Sequence, residues 1–180
     1  TKNYREAYSI FGSNGILFNH ESPRRGETFV TKKIIRALVR IKMGKQKNLF
    51  LGNLDSKRDW GHARDYVEAM WKILQQKEPD DYVIATGKQL SIRQFINLVS
   101  KKLNMNIVWR GKGLKEKGYD TLAKKNIIEV DKNYIRPLDV NTLLGNASKA
   151  RKKLSWKPKT NISQLIEETI SEEVKIVNAE

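Results

Sequence analysis

Short apolar runs and helically spaced apolar positions succeed one another along this chain. Residues 14–19 (Asn14-Gly15-Ile16-Leu17-Phe18-Asn19) form an apolar run that stops abruptly in polar residues, which reads as a buried strand opening into a loop. That loop, residues 20–28, carries Pro23, Arg24, Arg25 and Gly26. Val30, Ile34, Ala37, Leu38 and Ile41 then fall on one helical face, with Gly44 as its terminator. Residues 48–51 read as a short strand and residues 52–59 as a polar loop. Tyr66, Val67, Met70, Trp71 and Leu74 follow at steps of three and four, which predicts a second helix with these residues packed in a core. Residues 81–86 are a strand candidate closed by Gly87. Ser91 with Gln94 three positions on is a capping box, and Ile92, Phe95, Ile96, Val99 and Leu103 make the apolar stripe behind it.

The remainder is less regular. Residues 107–109 read as one more strand, and residues 111–125, rich in Lys and Gly without a sustained period, as a long surface loop. Helices are expected over residues 148–154 and 163–177, with Trp156 and Pro158 between them. Met43, Met70, Met105 and the Trp residues sit at apolar positions and read as core, and His62 as structural. There is no internal repeat. Strands alternating with helices argue for α/β architecture, although three or four strands are thin for a free-standing doubly wound sheet.

Composition narrows the function classes. The 180 residues suit one modest domain or a piece of a larger one. No run approaches the roughly 20 apolar residues that span a bilayer, so a transmembrane helix is excluded and no membrane partner is expected. Cysteine is absent, which removes disulfides and thiolate metal sites and fits a cytoplasmic protein. Residues 1–8 do not resemble a signal peptide; they lack an initiating Met and read as mid-helix sequence, so a truncated start is expected.

The 35 Lys and Arg against 20 Asp and Glu give a net charge of +15, which raises a nucleic-acid partner. The basic residues are scattered, with no zinc-finger, RNP or GXXG pattern. Solvated faces and anionic ligand sites are therefore favoured over a nucleic-acid groove.

Motifs of chemistry are mostly missing. No Gly-x-Gly-x-x-Gly fingerprint, P-loop or Gly-x-Ser-x-Gly elbow occurs, and two isolated His residues cannot build a His-rich metal site. Polar residues on loops remain. His20-Glu21-Ser22-Pro23-Arg24-Arg25-Gly26 places a His and two Arg behind a strand end, where open α/β sheets bind ligands and where Arg forks suit phosphate oxygens. A charged surface turn explains the same spacing. In Arg58-Asp59-Trp60-Gly61-His62, Arg58 is suited to a phosphate, while Asp59 and Trp60 read as a capping segment for the helix that follows. Arg136-Pro137-Leu138-Asp139 would turn an Arg and a carboxylate to one side if Pro137 starts a helical turn; a surface ion pair is the alternative.

These loops carry a family resemblance. Residues 15–31 (Gly15-Ile16-Leu17-Phe18-Asn19-His20-Glu21-Ser22-Pro23-Arg24-Arg25-Gly26-Glu27-Thr28-Phe29-Val30-Thr31) and residues 51–67, from Leu51-Gly52-Asn53-Leu54 to Ala63-Arg64-Asp65-Tyr66-Val67, closely resemble stretches of the GDP-mannose 4,6-dehydratases. Residues 82–87, 134–137 and 143–150 match in the same order, so the resemblance runs essentially end to end. It implies the C-terminal part of an extended short-chain dehydrogenase, over residues 1–180: the end of the Rossmann sheet plus the smaller α/β domain that binds the nucleotide sugar. The N-terminal NADP-binding portion would be absent. The implied enzyme is a lyase that converts GDP-mannose to GDP-4-keto-6-deoxymannose and water by transient reduction of NADP, on the route to GDP-fucose. Homo-oligomers, dimers or tetramers, are implied for the full-length enzyme.

Carried over by position, His20 and Arg25 resemble NADP contacts, with Arg24 contributing near a subunit interface. Asn19, Val30 and Lys33 match contacts to the GDP-sugar, Arg58 and Arg136 the pair that clamps its diphosphate, and Asp139 a carboxylate toward the nucleotide where the family often has Glu. The family's glycine-rich fingerprint, its Tyr-x-x-x-Lys pair and its Thr/Ser and Glu are absent from this sequence. No catalytic residue is therefore assigned, and the chain alone is expected to be inactive. A Rossmann sheet cut at this point would also leave residues 14–18 without neighbouring strands. The alternatives are a non-catalytic nucleotide-sugar-binding module, a basic nucleic-acid-binding domain, and a sister dehydratase or epimerase; residues 19–26 argue against the last.

Overall fold

The computed structural model describes residues 1–136 and 138–180. In chain order the elements begin α1 (Lys2–Tyr8), β1 (Asn14–Leu17), β2 (Asn19–Glu21), α2 (Val30–Lys42), β3 (Leu49–Leu51), β4 (Lys57–Arg58) and β5 (Trp60–His62). They continue with α3 (Ala63–Leu74), β6 (Asp81–Ile84), β7 (Leu90–Ser91), α4 (Ile92–Lys102), β8 (Ile107–Arg110), β9 (Lys117–Asp120), β10 (Lys125–Val130), α5 (Ser148–Leu154) and α6 (Ile162–Ala179). The chain folds as two compact units. One comprises Thr1–Ser22, Arg58–Gln89 and Leu143–Leu165, the other Pro23–Lys57, Leu90–Thr142 and Ile166–Glu180.

In the first unit β1 pairs in parallel with β6, and β2 in parallel with β5. α3 and α5 pack on this framework around Tyr66, Ala69, Ile73, Tyr82, Ile84, Leu154 and Trp156, all buried. Burying such side chains stabilises by about 1.5–3 kcal/mol each. Tyr66 sits edge-on to Trp156, with centroids 6.1 Å apart. It fits because residue 61 is glycine: a Cβ there would lie 2.4 Å from the Tyr66 ring.

The second unit is built on a four-stranded sheet in the order β3-β10-β9-β8, parallel between β3 and β10 and antiparallel beyond. α2 packs against α4 and β3, and buries Ile34, Ile35, Leu38 and Ile41. The Ser91 capping box forms in both directions: Gln94 N–H donates to Ser91 Oγ (3.1 Å), and Ser91 N–H donates to Gln94 Oε1 (2.8 Å).

Several expectations are corrected. Among the described residues ten short strands are present where three or four were expected, because pairing partners distant in sequence extend segments with little strand propensity of their own. Residues 111–125 are not a loop. β9 and β10 form a hairpin across residues 121–124, and Gly118 lets them close, since a Cβ there would sit 2.9 Å from Ile128. The loop after Phe18 likewise starts only after β2, and the polar stretch 52–59 contains β4.

β1 is not buried. Among the described residues it has one strand neighbour, and Ile16 is 54% exposed. α3 keeps its expected place, but its core face is Tyr66, Ala69 and Ile73. Val67, Met70, Trp71 and Leu74 point outward, with Trp71 62% exposed, and Met43 is exposed as well.

Candidate functional site

The sequence-derived site residues divide between the two units, and each set has its own geometry. In the first unit Asn19 and His20 lie on β2, in register with Trp60 and Gly61 of β5, and Arg58 lies two residues before Trp60. Parallel pairing thus brings two motifs from distant parts of the sequence onto adjacent strands. His20 stacks on Tyr66 with ring centroids 5.1 Å apart and planes 29° from parallel. Its Nδ1 is 2.9 Å from the Phe18 carbonyl, which can only accept, so Nδ1 carries a proton and donates to it. Burial, with the Asp59, Asp65 and Glu21 carboxylates adding to it, raises the Tyr66 hydroxyl well above its usual pKa. Tyr66 is therefore a neutral platform beneath His20.

Asp59 is not a helix cap. It is fully buried, and its carboxylate accepts from Thr86 N–H (2.9 Å), Thr86 Oγ (2.5 Å), Gly87 N–H (2.9 Å) and Gly145 N–H (3.3 Å). It ties the end of β6 and the approach to α5 to the strand that carries Trp60. The cap of α3 is His62, whose Nδ1 accepts from Arg64 N–H at 3.0 Å, so its structural reading holds. Trp60 packs in the interior as expected. Spacing alone could not separate a capping Asp from one that gathers donors remote in sequence.

In the second unit, the start of α2, the loop after β3, residues 134–136 and Asp139 converge. Lys33 places its ammonium 3.4 Å from the centroid of the Tyr134 ring. Burial lowers its pKa, an effect that Asp131 opposes. The backbone runs close: a Cβ on Gly52 would lie 2.1 Å from the Tyr134 carbonyl oxygen. Asp139 N–H donates to the Arg136 carbonyl at 3.2 Å, and Asp139 Oδ2 accepts from Ser56 Oγ at 2.8 Å. Arg136 and Asp139 thus share a turn; Pro137, on which its helical form was premised, lies outside the described residues.

Val30 is the first residue of α2, which has neither a side-chain cap nor an acidic residue in its first turn. Its positive end is therefore uncompensated by carboxylates on that turn. Arg25 lies with its guanidinium 3.5 Å over the Phe29 ring, and Arg24 is exposed. The arrangement offers cations, a helix start and one anchored carboxylate, a donor set suited to a phosphorylated ligand. Groups of three or more His, Cys, Asp and Glu able to hold a metal ion are absent among the described residues.

Comparison with known proteins gives this donor set a context. Residues 1–169 match the family model described as GDP-mannose 4,6 dehydratase. The chain is 52% identical over 180 residues to "GDP-mannose 4,6 dehydratase 2" of Caenorhabditis elegans, covering 99% of this chain and 46% of that protein. It is 52% identical over 172 residues to the GDP-mannose 4,6-dehydratase of Sinorhizobium fredii, covering 96% and 49%. The chain thus spans about half the length of the curated relatives it matches.

Among solved structures, RMD from Pseudomonas aeruginosa complexed with NADPH superposes with a TM-score of 0.78 at 20% identity, over 97% of this chain and 52% of that one. The dTDP-glucose 4,6-dehydratase from Bacillus anthracis in complex with NAD superposes at 0.74 and 19%, over 96% and 48%. These structures establish a shared α/β fold with sugar-nucleotide dehydratases and their kin. By a family match over 1–169 and half-identity along nearly its whole length, the chain belongs to the GDP-mannose 4,6-dehydratase family.

Proposed function

We propose that this chain is the C-terminal, substrate-binding portion of a GDP-mannose 4,6-dehydratase, the enzyme that converts GDP-mannose to GDP-4-keto-6-deoxymannose and water. The observation that carries this reading is 52% identity over 99% of the chain to a relative of that name. The cations around the start of α2, Arg25 and Lys33, support it.

Each assigned residue has a physical task. Arg58 and Arg136 present planar forks to the diphosphate of the GDP-sugar, and Lys33 adds a point charge. Asp139, held by Ser56, offers its carboxylate to an N–H or hydroxyl donor of the nucleotide. Asn19 supplies an amide to the sugar nucleotide, and Val30 an apolar contact.

His20, Arg24 and Arg25 are the cofactor contacts, and they suit part of NADP: an imidazole for a polar group of the cofactor, and guanidinium groups for phosphate. When bound, NADP supplies reversible hydride exchange with the sugar. His20 is fixed for its contact by Phe18 and Tyr66.

General acid–base work needs a positioned proton carrier at the reacting carbons, and the family's Tyr-x-x-x-Lys pair is absent from these 180 residues. The isolated chain is accordingly assigned binding without turnover. Calorimetry with GDP-mannose, GDP and UDP tests the assignment. The guanosine ligands should bind and UDP should bind more weakly, while incubation of GDP-mannose with NADP and the pure chain should yield no 4-keto sugar. Equal affinity for UDP would overturn the substrate assignment, and product formation would overturn the absence of turnover.

A further inference from the structure

We infer that the buried Lys32–Glu173 ion pair is a positioning device for the loop that carries Arg24 and Arg25. The inference rests on the assignment of those two arginines to the cofactor, and adds what sets the direction in which they leave the chain.

The pair lies inside the second unit. Lys32 stands in the first turn of α2 and is 5% exposed; Glu173 stands on α6 and is 1% exposed. Glu173 shares its helix face with Ile166, Thr169 and Val177, all buried, so it is a charge set into an otherwise neutral packing surface. Such a pair adds little to stability over an apolar pair of similar size, because desolvating two charges offsets their attraction. What an apolar pair cannot do is donate, and the Lys32 ammonium donates also to the Pro23 carbonyl at 2.8 Å.

That carbonyl is the base of the loop. It belongs to the peptide plane that joins Pro23 to Arg24, so holding the oxygen also orients the Arg24 N–H. The Pro23 ring fixes φ at the same residue. The bond runs back across nine residues, from the start of α2 to the start of the loop, and closes the loop at its base. Two ties further along lie at the surface. Arg36 pairs with Glu27, which is 68% exposed, and Arg25 lies over Phe29, which is 48% exposed. Exposed ties of this kind hold weakly, whereas the Lys32 bond is buried.

Glu173 supplies the other half of the device. A Lys stem is flexible and its head strongly hydrated, so without a counter-charge it turns toward water. Glu173 keeps the ammonium inside and within reach of Pro23. Lys32 and Glu173 are thus positioning residues, which act through the two arginines.

The test separates position from stability. The double variant Lys32→Met/Glu173→Leu fills about the same space and strands no charge, so its urea midpoint should stay near the parent's. Its loop should nonetheless loosen. Hydrogen exchange read by mass spectrometry should show the amides of residues 24–29 exchanging about tenfold or more faster than in the parent, with those of α4 unchanged. NADP affinity by calorimetry should fall by about the same factor. Lys102→Met, which removes an exposed pair between α4 and α6, is the control and should leave all three readings intact. Should the double variant not fold, Glu173→Gln, which keeps the size and removes the charge, takes its place with the same expectation for the loop. Parent-like exchange at residues 24–29, or acceleration shared equally by the loop and α4, would overturn the inference. So would an NADP affinity that survives the double change but falls in Arg25→Ala. Because exchange needs no ligand, a parent chain that binds no NADP, or an affinity untouched by Arg25→Ala, would count against the cofactor assignment alone, and the exchange rates would still decide whether the pair holds the loop.

Discussion

Replacing Asp59 with Asn changes one oxygen to NH2 and almost nothing in size, yet it should be among the most damaging single-atom changes the chain can suffer. The carboxylate is fully buried and receives three backbone N–H groups, from Thr86, Gly87 and Gly145, together with the Thr86 hydroxyl. An Asn side chain can keep its oxygen toward Thr86, but its NH2 then faces the donors of Gly87 and Gly145. Each buried group left without an acceptor costs about 1–3 kcal/mol, so the pair costs about 2–6 kcal/mol. With a urea dependence of about 2 kcal/mol per molar, the unfolding midpoint should fall by about 1–3 M. Trp fluorescence is the assay, because Trp60 and Trp156 are both buried in the unit that Asp59 organises. Asp55→Asn, at an exposed position, is the control. A fall below about 0.5 M for Asp59→Asn would refute the claim that this carboxylate holds the two chain segments together.

Other expectations follow from charge and packing. Arg5 holds the Asp81 carboxyl down to about 2, chiefly by their hydrogen bond and with help from Asn14. A carboxylate lowered on folding adds stability above its ordinary value near 3.8 and loses it as pH falls toward about 2. Arg5→Met should therefore raise the midpoint of acid unfolding followed by circular dichroism, and cost most at pH 7 to 8, with the difference from the parent shrinking as pH falls below about 3.8 toward about 2. Lys32 and Glu173 form a buried ion pair, with Lys32 also donating to the Pro23 carbonyl at 2.8 Å. Lys32→Met or Glu173→Leu alone should cost about 3–5 kcal/mol by urea titration and the double variant much less, because only the singles strand a buried charge. Gly145→Ala puts a Cβ 2.1 Å from that of Ala85 and should lower Tm by more than Gly44→Ala, where nothing lies within 4 Å and only the φ of +75° is strained, at about 1–2 kcal/mol.

How far the sequence exposed this structure differs by element. α2, α4, α5 and α6 were legible because each is specified locally. The Ile34-Ala37-Leu38-Ile41 stripe, Gly44 and the Ser91–Gln94 box settle their own neighbourhoods without help from distant residues. The β9–β10 hairpin was not, since Lys117-Gly118-Tyr119-Asp120 has no alternation worth the name and becomes a strand by pairing on both sides. α3 was legible as a helix but not in its orientation. Its two apolar stripes lie side by side, and periodicity cannot say which one is inward when both are rich in large residues.

The site shows the same division. Arg24, Arg25, Lys33, Arg58 and Arg136 stood out as phosphate-suited side chains on loops and at element ends. Asp59 and Tyr66, which organise the ground beneath His20, were read as a cap and as plain core. Their partners, Thr86, Gly87 and Gly145 for one and His20 for the other, become neighbours only through tertiary pairing.

The central claim, that this chain carries the GDP-sugar contacts of its family, is tested most directly by titrating GDP-mannose into the chain and into its Arg136→Ala variant. A guanidinium that hydrogen-bonds a diphosphate contributes about 1.5–3 kcal/mol, so the variant should bind about ten- to a hundredfold more weakly while keeping the same Tm without ligand. Saturable binding to the parent chain, displaced by GDP and weakened to that degree in the variant, is the predicted result. Identical affinity in the two proteins, or no binding to either, would contradict it.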